Sequence, residues 1–497
     1  MIDKELLKET LAVALARGGD FAEVFVESRR VTGIGLEGGK VERMQSGVEA
    51  GAGVRVLAGE ATAYAHTNAL DRDGLLRAAR IAARALGNGQ KDVTLDLTTL
   101  RPPVTFTVRE LPETVPAERK AEKIAEADRA ARAVDGEAIK QVMAGYGDVV
   151  QDVVIANSTG VHVEDRRVRT RMVVNAVAAA KGMIQTGTEA VGGTAGFELF
   201  DHHDPGEMGT AAAKRARALL EAEPAPSGRM PVVLSGAAGG TMVHEACGHG
   251  LEADLVQKGL SVYGGKQGQE VAAPTITVED NATLPGRYGS YAFDDEGTPA
   301  RPVTLIANGV LEDYLYDRLS ATREKRESNG HGRRESYQHK PVPRMGNTYI
   351  APGRDDPEEI IREAGEGLLV RKMGGGQVNT TTGDFVFEVA EGYLIRDGEV
   401  GPMVRGATLT GNGPEVLRRV AMVGKDLGFT IGTCGKDGQG VPVSDAQPTM
   451  LLGTSRKDSP IVVGGTKQLE DGPEVRTVNL PAALGFPEFR VRRIRRL

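Results

Sequence analysis

Residues 243–250 read Val243-His244-Glu245-Ala246-Cys247-Gly248-His249-Gly250, so two imidazoles, a thiol and a carboxylate fall within one short stretch. Histidine is otherwise rare, with eight in the whole chain. A short buried strand is predicted over 231–234, followed by a glycine-rich turn and a helix over 241–256. The stretch therefore predicts a helix that carries chemically active side chains near the start of the C-terminal domain.

The two histidines are five positions apart. In the zinc-peptidase pattern H-E-x-x-H the spacing is four, which places both imidazoles on one helix face beside a glutamate that acts as general base. At a spacing of five, a regular helix would separate the side chains by about 140°. If both bind one ion, the sequence predicts either a π-bulge or a break at Gly248 and Gly250. The alternative, two hydrogen-bonded structural histidines, stays open on spacing alone.

A catalytic zinc needs a third protein ligand, and the chain has two cysteines, Cys247 and Cys434. Cys247 lies on the same helix, but it is equally consistent with a small buried hydrophobe. Cys434 lies in Gly432-Thr433-Cys434-Gly435-Lys436, which predicts a glycine-rich turn where Lys436 favours the thiolate. We therefore expect Cys434 to be the third ligand.

Working outward, the pattern predicts an α+β fold. A mixed α/β N-terminal part has antiparallel sheets, and a β-rich C-terminal domain carries the helix with the two histidines. The linker signal Pro224-Ala225-Pro226-Ser227-Gly228 marks the main boundary. We expect three domains, at 1–110, 111–223 and 229–497, and a further helix over 414–427 before Cys434.

The composition of the chain argues against several classes of protein. The formal charge of −7 argues against a protein whose whole surface binds nucleic acid. Two cysteines are too few for a disulfide framework, no apolar run is long enough for a membrane span, and the N-terminus has no signal-peptide core. We therefore expect a cytoplasmic protein. The basic stretch 489–496 is interpreted as an edge strand with a charged outer face.

Two further segments of the chain are consistent either with an accessory role at the site or with a purely structural one. His331, or an arginine within residues 329–334, is a candidate donor to an oxyanion, while the alternative is a solvated surface loop. The alternating strands of the C-terminal half either bind an extended peptide by strand addition or only build the domain.

The chain resembles the TldD/PmbA family, specifically its TldD-type subunit. The family's HExxxH motif is present as His244-Glu245-Ala246-Cys247-Gly248-His249, and the following Gly250-Leu251-Glu252-Ala253-Asp254 is also similar. Further similar segments lie at 293–297, 333–336, 343–349 and 434–439. The resemblance covers nearly the whole chain.

This resemblance implies a zinc-dependent peptidase with one Zn²⁺ per chain. His244, His249 and Cys434 would bind the metal, and Glu245 would activate a zinc-bound water. It also implies that the substrate is an unfolded peptide, hydrolysed in an enclosed dimer cavity. The partner would be a PmbA/TldE-like subunit in a heterodimer, or a second copy in a homodimer.

Two other functions remain as alternatives at this point. The first is a non-enzymatic regulatory or scaffold subunit of the gyrase-modulator type, against which the intact set of His244, Glu245, His249 and Cys434 argues. The second is a zinc amidohydrolase that acts on a non-peptide amide, which the same metal ligands could serve.

Overall fold

The computed structural model describes residues 2–86 and 93–465. Helices and long strands alternate in its first half, in the order α1 (Lys4–Leu15), β1 (Phe21–Glu37), β2 (Lys40–Ala58), β3 (Ala61–Thr67), α2 (Arg72–Leu86), β4 (Thr98–Thr99), α3 (Ala117–Val134), β5 (Ile139–Asn157), β6 (Val161–Ala180), β7 (Met183–Gly193) and α4 (Pro205–Glu221). Short 3₁₀ turns lie at Pro112–Thr114 and Phe197–Asp201.

These strands form one sheet, which we call the first sheet, in the order β3-β2-β1-β5-β6-β4, with β7 also paired to β6. Its long pairs are antiparallel, because two-residue turns connect consecutive strands such as β1 and β2. Alternation along each strand gives the sheet two different faces. One face packs against α1 and α2 at one end and against α3 and α4 at the other. The opposite face is turned toward the second half of the chain, as the cluster of Phe25, Ile155 and Phe293 shows.

The second half contains shorter elements. They are β8 (Glu223–Pro224), β9 (Gly228–Arg229), β10 (Val232–Leu234), α5 (Thr241–Val243), α6 (Ala253–Gln257), β11 (Val278–Asn281), β12 (Pro302–Ala307), β13 (Val310–Leu311), α7 (Arg318–Arg323), β14 (Gly332–Arg333), β15 (Val342–Pro343), β16 (Asn347–Ile350), α8 (Pro357–Ala364), β17 (Gly367–Val378), β18 (Asp384–Arg396), β19 (Glu399–Arg405), β20 (Thr408–Asn412), α9 (Gly413–Arg418), β21 (Val420–Val423), β22 (Gly428–Lys436), β23 (Gln439–Gln447), β24 (Met450–Leu452) and β25 (Val462–Gly464).

Two sheets of this half enclose its core. One follows the order β21-β24-β10-β17-β18-β20-β25-β9, with β19 and β8 attached, and the other follows β13-β12-β11-β16-β23-β22. Their inward side chains meet in one large cluster, which includes Val243, Ala246 and Cys247 from the segment between α5 and α6. The predicted histidine segment is therefore held from both sides by the core of this half.

The predicted α+β class and the β-rich C-terminal half are confirmed. The helix predicted over 414–427 is wrong in length: α9 ends at Arg418, and the chain continues as β21. Residues 420–423 pair with β24 in the sheet instead of continuing the helix. The division into 1–110, 111–223 and 229–497 stays a prediction. The basic stretch 489–496 lies outside the described residues.

No helix in the described part of the chain combines the length and apolar character that a membrane crossing requires.

Candidate metal centre

The histidine segment is not a continuous helix. After α5 the chain forms a π-turn over His244–Gly248, then a 3₁₀ turn over His249–Leu251, and Glu252 takes an extended conformation before α6. A π-turn contains an extra residue, so positions five apart come onto the same side. The ring centroids of His244 and His249 lie 4.8 Å apart at 86°. The predicted π-bulge is confirmed, whereas the helix predicted over 241–256 is interrupted at Glu252.

Gly248 and Gly250 have a different role from the predicted helix break. Gly248 has ordinary helical dihedral angles, φ −51° and ψ −58°, so its backbone does not need glycine. A Cβ on Gly248 would lie 2.2 Å from the Met345 Sδ, and one on Gly250 would lie 2.7 Å from the Tyr263 ring. These glycines allow the π-turn to pack closely against its neighbours.

Cys434 lies in strand β22, and the prediction of a loop after a helix was wrong. The hairpin turn follows three residues later at Asp437 and Gly438, which have φ of 52° and 72°. Lys436 does not contact the thiol: its Nζ lies 2.6 Å from Asp254 Oδ1 and 3.1 Å from Glu252 Oε2. Lys436 therefore pairs with the carboxylates of Glu252 and Asp254 and makes no direct contact with the thiolate.

The structure brings His244, His249 and Cys434 together. One ligand atom from each lies within 4.8 Å of the other two, and the Cys434 Sγ is 3.6 Å from the His249 Nε2. His244 is 6% exposed and Cys434 3% exposed. Two imidazole nitrogens and a thiol are donors that suit zinc and leave a fourth position open. The residues present therefore fit a zinc ion.

Cys247 does not join this group. Its Sγ donates a hydrogen bond to the carbonyl of Val243, the last residue of α5, at 3.3 Å. Burial raises the pKa of its thiol to about 12, which disfavours the thiolate that binds metals. The interpretation of Cys247 as a small buried hydrophobe is the one the structure supports.

Each imidazole is held by a carboxylate on its other nitrogen. His244 Nδ1 lies 2.7 Å from Asp445 Oδ1, and His249 Nδ1 lies 3.3 Å from Glu252 Oε2. Such contacts fix the tautomer and ring orientation, so that Nε2 is presented to a metal. Sequence reasoning missed both carboxylates. Glu252 lies within the quoted motif region, three residues after His249, whereas nothing in the sequence links Asp445 to His244.

The two hairpin strands bring Asp445 to the cluster by register. Cys434 pairs with Val441, and Thr430 pairs with Asp445. Because side chains alternate across a strand, Cys434 and Asp445 project from the same face of the hairpin. One face of β22 and β23 therefore supplies both a candidate ligand and the partner of another.

A second layer of cations holds Glu252. The carboxylate is fully buried, and both Lys436 and Arg344 lie within 4.0 Å of it. Burial opposes its ionisation, but Lys436 and His249 outweigh burial and lower the pKa of Glu252 to about 2. Arg344 also donates to the carbonyl of Cys434, so Arg344 ties the Glu252 side to the Cys434 side.

The charges of the cluster stabilise each other. Burial disfavours the Cys434 thiolate, yet His249 and His244 hold the pKa of this thiol well below its ordinary value. Burial likewise lowers the pKa of His249, but Cys434 and Glu252 raise it to about 10. Metal binding at this centre would therefore release protons from the imidazoles.

Glu245 lies beside the three candidate ligands and is half-buried. Burial raises the pKa of its carboxyl, while His244 and His249 act in the opposite direction. Both imidazoles are therefore near enough to influence it. Glu245 belongs to the same site as the three candidate ligands.

The candidate oxyanion donors, His331, Arg333 and Arg334, form hydrogen bonds or ion pairs with other protein groups. His331 is 1% exposed, and its two ring nitrogens lie 3.1 Å from Asn329 Oδ1 and 3.1 Å from Asp280 Oδ1. Arg333 donates to backbone carbonyls, and Arg334 pairs with Glu23. The alternative of a solvated loop is wrong, because residues 329–334 are buried, and the oxyanion role stays a prediction.

Three family models match the chain in order. Residues 22–86 match PmbA/TldA metallopeptidase domain 1, residues 110–220 match the central domain, and residues 227–456 match the C-terminal domain. These matches cover most of the chain and include every residue of the candidate metal centre.

Relatives with similar sequences are also named metalloproteases. The chain is 34% identical over 461 residues to a metalloprotease TldD homolog of Haemophilus influenzae, covering 90% of this chain and 94% of the relative. It is 35% identical over 452 residues to a metalloprotease of Methanothermobacter thermautotrophicus, covering 90% and 96%. A relative from Saccharolobus solfataricus, named a zinc metalloprotease TldD homolog, is 30% identical over 251 residues, 50% of this chain and 56% of the relative.

Solved structures share the fold. One from Thermotoga maritima, described as a proposed modulator of a DNA gyrase, matches with a TM-score of 0.75 at 22% identity, covering 93% of this chain and 99% of that chain. TldE from Thermococcus kodakarensis matches with a TM-score of 0.70 at 19% identity, covering 90% and 99%. With the family models and the curated relatives, these matches show that the chain belongs to the PmbA/TldA metallopeptidase family and is of the TldD type.

Proposed function

We propose that this protein is a zinc-dependent peptidase that hydrolyses unfolded peptides, with one Zn²⁺ per chain held by His244, His249 and Cys434. The observation that carries the proposal is the grouping of these three ligand atoms within 4.8 Å, with each imidazole held on its other nitrogen by a carboxylate. The zinc named for one relative supports the choice of metal.

Zinc in this position would supply Lewis-acid activation of water and of the scissile carbonyl. Asp445 and Glu252 orient the imidazoles, and Arg344 holds the Cys434 strand beside them. Glu245 takes the proton from the attacking water and then donates it to the leaving amine, so it acts first as base and then as acid.

The burial of the centre supports an unfolded substrate. His244 and Cys434 are almost completely buried, and Glu245 is half-buried. A folded protein would not reach these atoms, whereas a single extended chain is thin enough. Cys434 also lies on β22, the terminal strand of its sheet, where an extended peptide could add by backbone hydrogen bonds.

We also propose that the active form is a dimer in the cytoplasm, either with a PmbA/TldE-like subunit or with a second copy. The structural likeness to TldE supports a TldD/TldE-type assembly. A dimer would enclose the site further and exclude folded proteins.

The test compares zinc content and cleavage of an unstructured peptide for wild type, Glu245→Gln, Cys434→Ser and Cys247→Ser, each alone and with a TldE-type subunit. We expect stoichiometric zinc in wild type, Glu245→Gln and Cys247→Ser, and loss of zinc in Cys434→Ser. Cleavage should fall by at least ~10²-fold in Glu245→Gln, because positioned proton transfer typically contributes 10²–10⁴-fold.

Equal cleavage by wild type and Glu245→Gln, or wild-type protein without zinc, would contradict the proposal and favour a regulatory subunit. Hydrolysis of small non-peptide amides in preference to peptides would instead favour an amidohydrolase.

A further inference from the structure

A cavity of about 1160 Å³ lies between the first sheet and the second half of the chain. Thr433 and Pro442 of the β22–β23 hairpin line it. These residues are cross-strand partners on the face of the hairpin opposite to Cys434 and Asp445. The cavity is therefore separated from the candidate metal centre by the thickness of one sheet.

Glycine forms much of the floor of this cavity. In the first sheet, Gly33 lies directly opposite Gly147, and Gly35 lies opposite Gly145 on the adjacent strand. All four line the cavity. Since none carries a side chain, the centre of this sheet face is a flat surface of backbone on which another extended chain can lie closely.

Neither backbone geometry nor packing explains this choice of residue at Gly33. A Cβ on Gly33 would meet no heavy atom within 4 Å, and Gly33 is not among the residues with positive φ. A larger residue would fit the fold, and residues other than glycine are usually preferred in strands. Glycine at position 33 lowers the stability of the strand, and this cost is consistent with a need to keep the cavity floor clear.

The two walls of the cavity differ in charge. The inner wall, formed by β6 and the segments near 295 and 334, carries five arginines against two carboxylates: Arg167, Arg169, Arg171, Arg333 and Arg334 against Asp295 and Glu335. The outer wall, formed by the β1–β2 hairpin, carries two arginines against three carboxylates: Arg29 and Arg43 against Glu37, Glu42 and Glu49. Arg167 pairs with Asp165 and Asp295, and Arg334 pairs with Glu23. The positive charge of the inner wall that lacks a paired carboxylate is therefore found on Arg169 and Arg333.

Two arginines of the inner wall have no carboxylate partner within the described residues. Arg169 donates to the carbonyls of Tyr288 and Ser290 at 3.0 and 2.8 Å, and Arg333 donates to those of Met345 and Pro442. They are 7% and 4% exposed. Burial, with Arg333 and Arg167 nearby, lowers the pKa of Arg169 to about 10. Asp295 is near enough to favour both charges but forms no ion pair with either arginine. Buried cations without a paired carboxylate are costly, and an anion in the cavity would compensate them.

We propose that this cavity binds the C-terminal end of an unfolded peptide, with its terminal carboxylate directed to the inner wall and its backbone lying across the glycine floor. The choice of a peptide as ligand rests on the proposed peptidase function. The site would retain a substrate by a group that every peptide has, at a place separate from the metal ligands.

The test measures binding by fluorescence anisotropy to Glu245→Gln protein, which prevents turnover. A labelled unstructured peptide with a free C-terminus is compared with the same peptide as its C-terminal amide. We expect the amide to bind at least tenfold more weakly, and the difference to shrink as salt is raised.

The variant is Gly33→Phe, whose side chain would fill the space above the floor. It should weaken binding of the free-acid peptide at least tenfold, with unchanged zinc content and unfolding midpoint. Gly136→Phe is the matched control, because a Cβ there also meets nothing within 4 Å and Gly136 is exposed outside the cavity. It should bind like the parent protein.

Equal affinity for acid and amide, or unchanged binding in Gly33→Phe, would overturn the inference. So would inorganic phosphate that binds as tightly as the peptide, or a single-stranded oligonucleotide that binds more tightly. Cleavage by otherwise wild-type protein is measured separately. If that protein cleaves no peptide, but the free-acid peptide still binds more tightly than the amide, the proposed peptidase function is refuted and the cavity remains a peptide-binding site.

Discussion

Asp445 links the β22–β23 hairpin to His244 through a single short contact of 2.7 Å. In Asp445→Asn the side chain keeps its shape but loses the charge that orients and polarises the imidazole. We expect the dissociation constant for zinc to rise about 10- to 100-fold, as is typical when such a partner is changed. Competition with a chromophoric chelator measures this directly.

Asp437→Asn is the matched control for that experiment. Asp437 lies at the tip of the same hairpin with a φ of 52°, a conformation that asparagine adopts readily. It removes one negative charge from the same hairpin without touching a candidate ligand. If both variants lost zinc affinity equally, net charge and not the contact with His244 would be responsible.

At the scale of elements, the π-turn depends on close packing against the start of α9. A Cβ on Gly413 would lie 2.3 Å from the carbonyl oxygen of Ala246, whereas a Cβ on Gly248 would meet the flexible side chain of Met345. Backbone cannot move aside as a thioether can. We therefore expect Gly413→Ala to destabilise the protein by about 1–3 kcal/mol and to weaken zinc binding, and Gly248→Ala to have the smaller effect.

Thermal unfolding and zinc titration of the two alanine variants check this order. The opposite order would mean that α9 moves as a unit and that the π-turn is held mainly by Met345.

The sequence predicted the local parts of this site and missed the distant ones. If His244 and His249 bind one ion, their spacing requires a deformed helix, because a regular turn cannot align positions five apart. The strand around Cys434 was mistaken for a loop, since its glycines resemble turn residues until their pairing with β23 is known. Asp445 could not be predicted, because its partner is 201 residues away and only strand register brings them together.

At the scale of the whole molecule, a buried set of charges joins the first sheet to the half that carries the candidate metal centre. Arg55 on β2 pairs with Glu23 on β1 and with Glu296, and Arg334 also pairs with Glu23. Glu23, Glu296 and Arg55 are no more than 1% exposed. Removing one member of such a network leaves an uncompensated buried charge.

We expect Glu23→Gln to destabilise the protein by about 3–5 kcal/mol. Burial opposes the ionisation of Glu23, but Arg55 and Arg334 outweigh burial and lower its pKa. Its contribution is therefore complete above the pKa of the unfolded state, near ~4.3, and is lost as the pH falls through the lower folded value. Urea unfolding at pH 7 and at acid pH should show a smaller loss on acidification in the variant than in wild type.

Glu9→Gln, which changes the exposed pair with Arg72, should leave unfolding nearly unchanged. An equal effect of both substitutions would mean that the buried network does not hold the two halves together.

The separation of the candidate ligands along the sequence determines when, during synthesis, the metal site can form. Cys434 lies 185 residues beyond His249, so a nascent chain that has already exposed its histidines lacks the thiol. At about 5–20 residues per second, the ribosome needs roughly 10–40 s to supply it. A nascent chain that has not yet reached Cys434 therefore lacks the full set of candidate ligands. Under the proposed peptidase function, it would leave neighbouring nascent polypeptides uncut until Cys434 has been made.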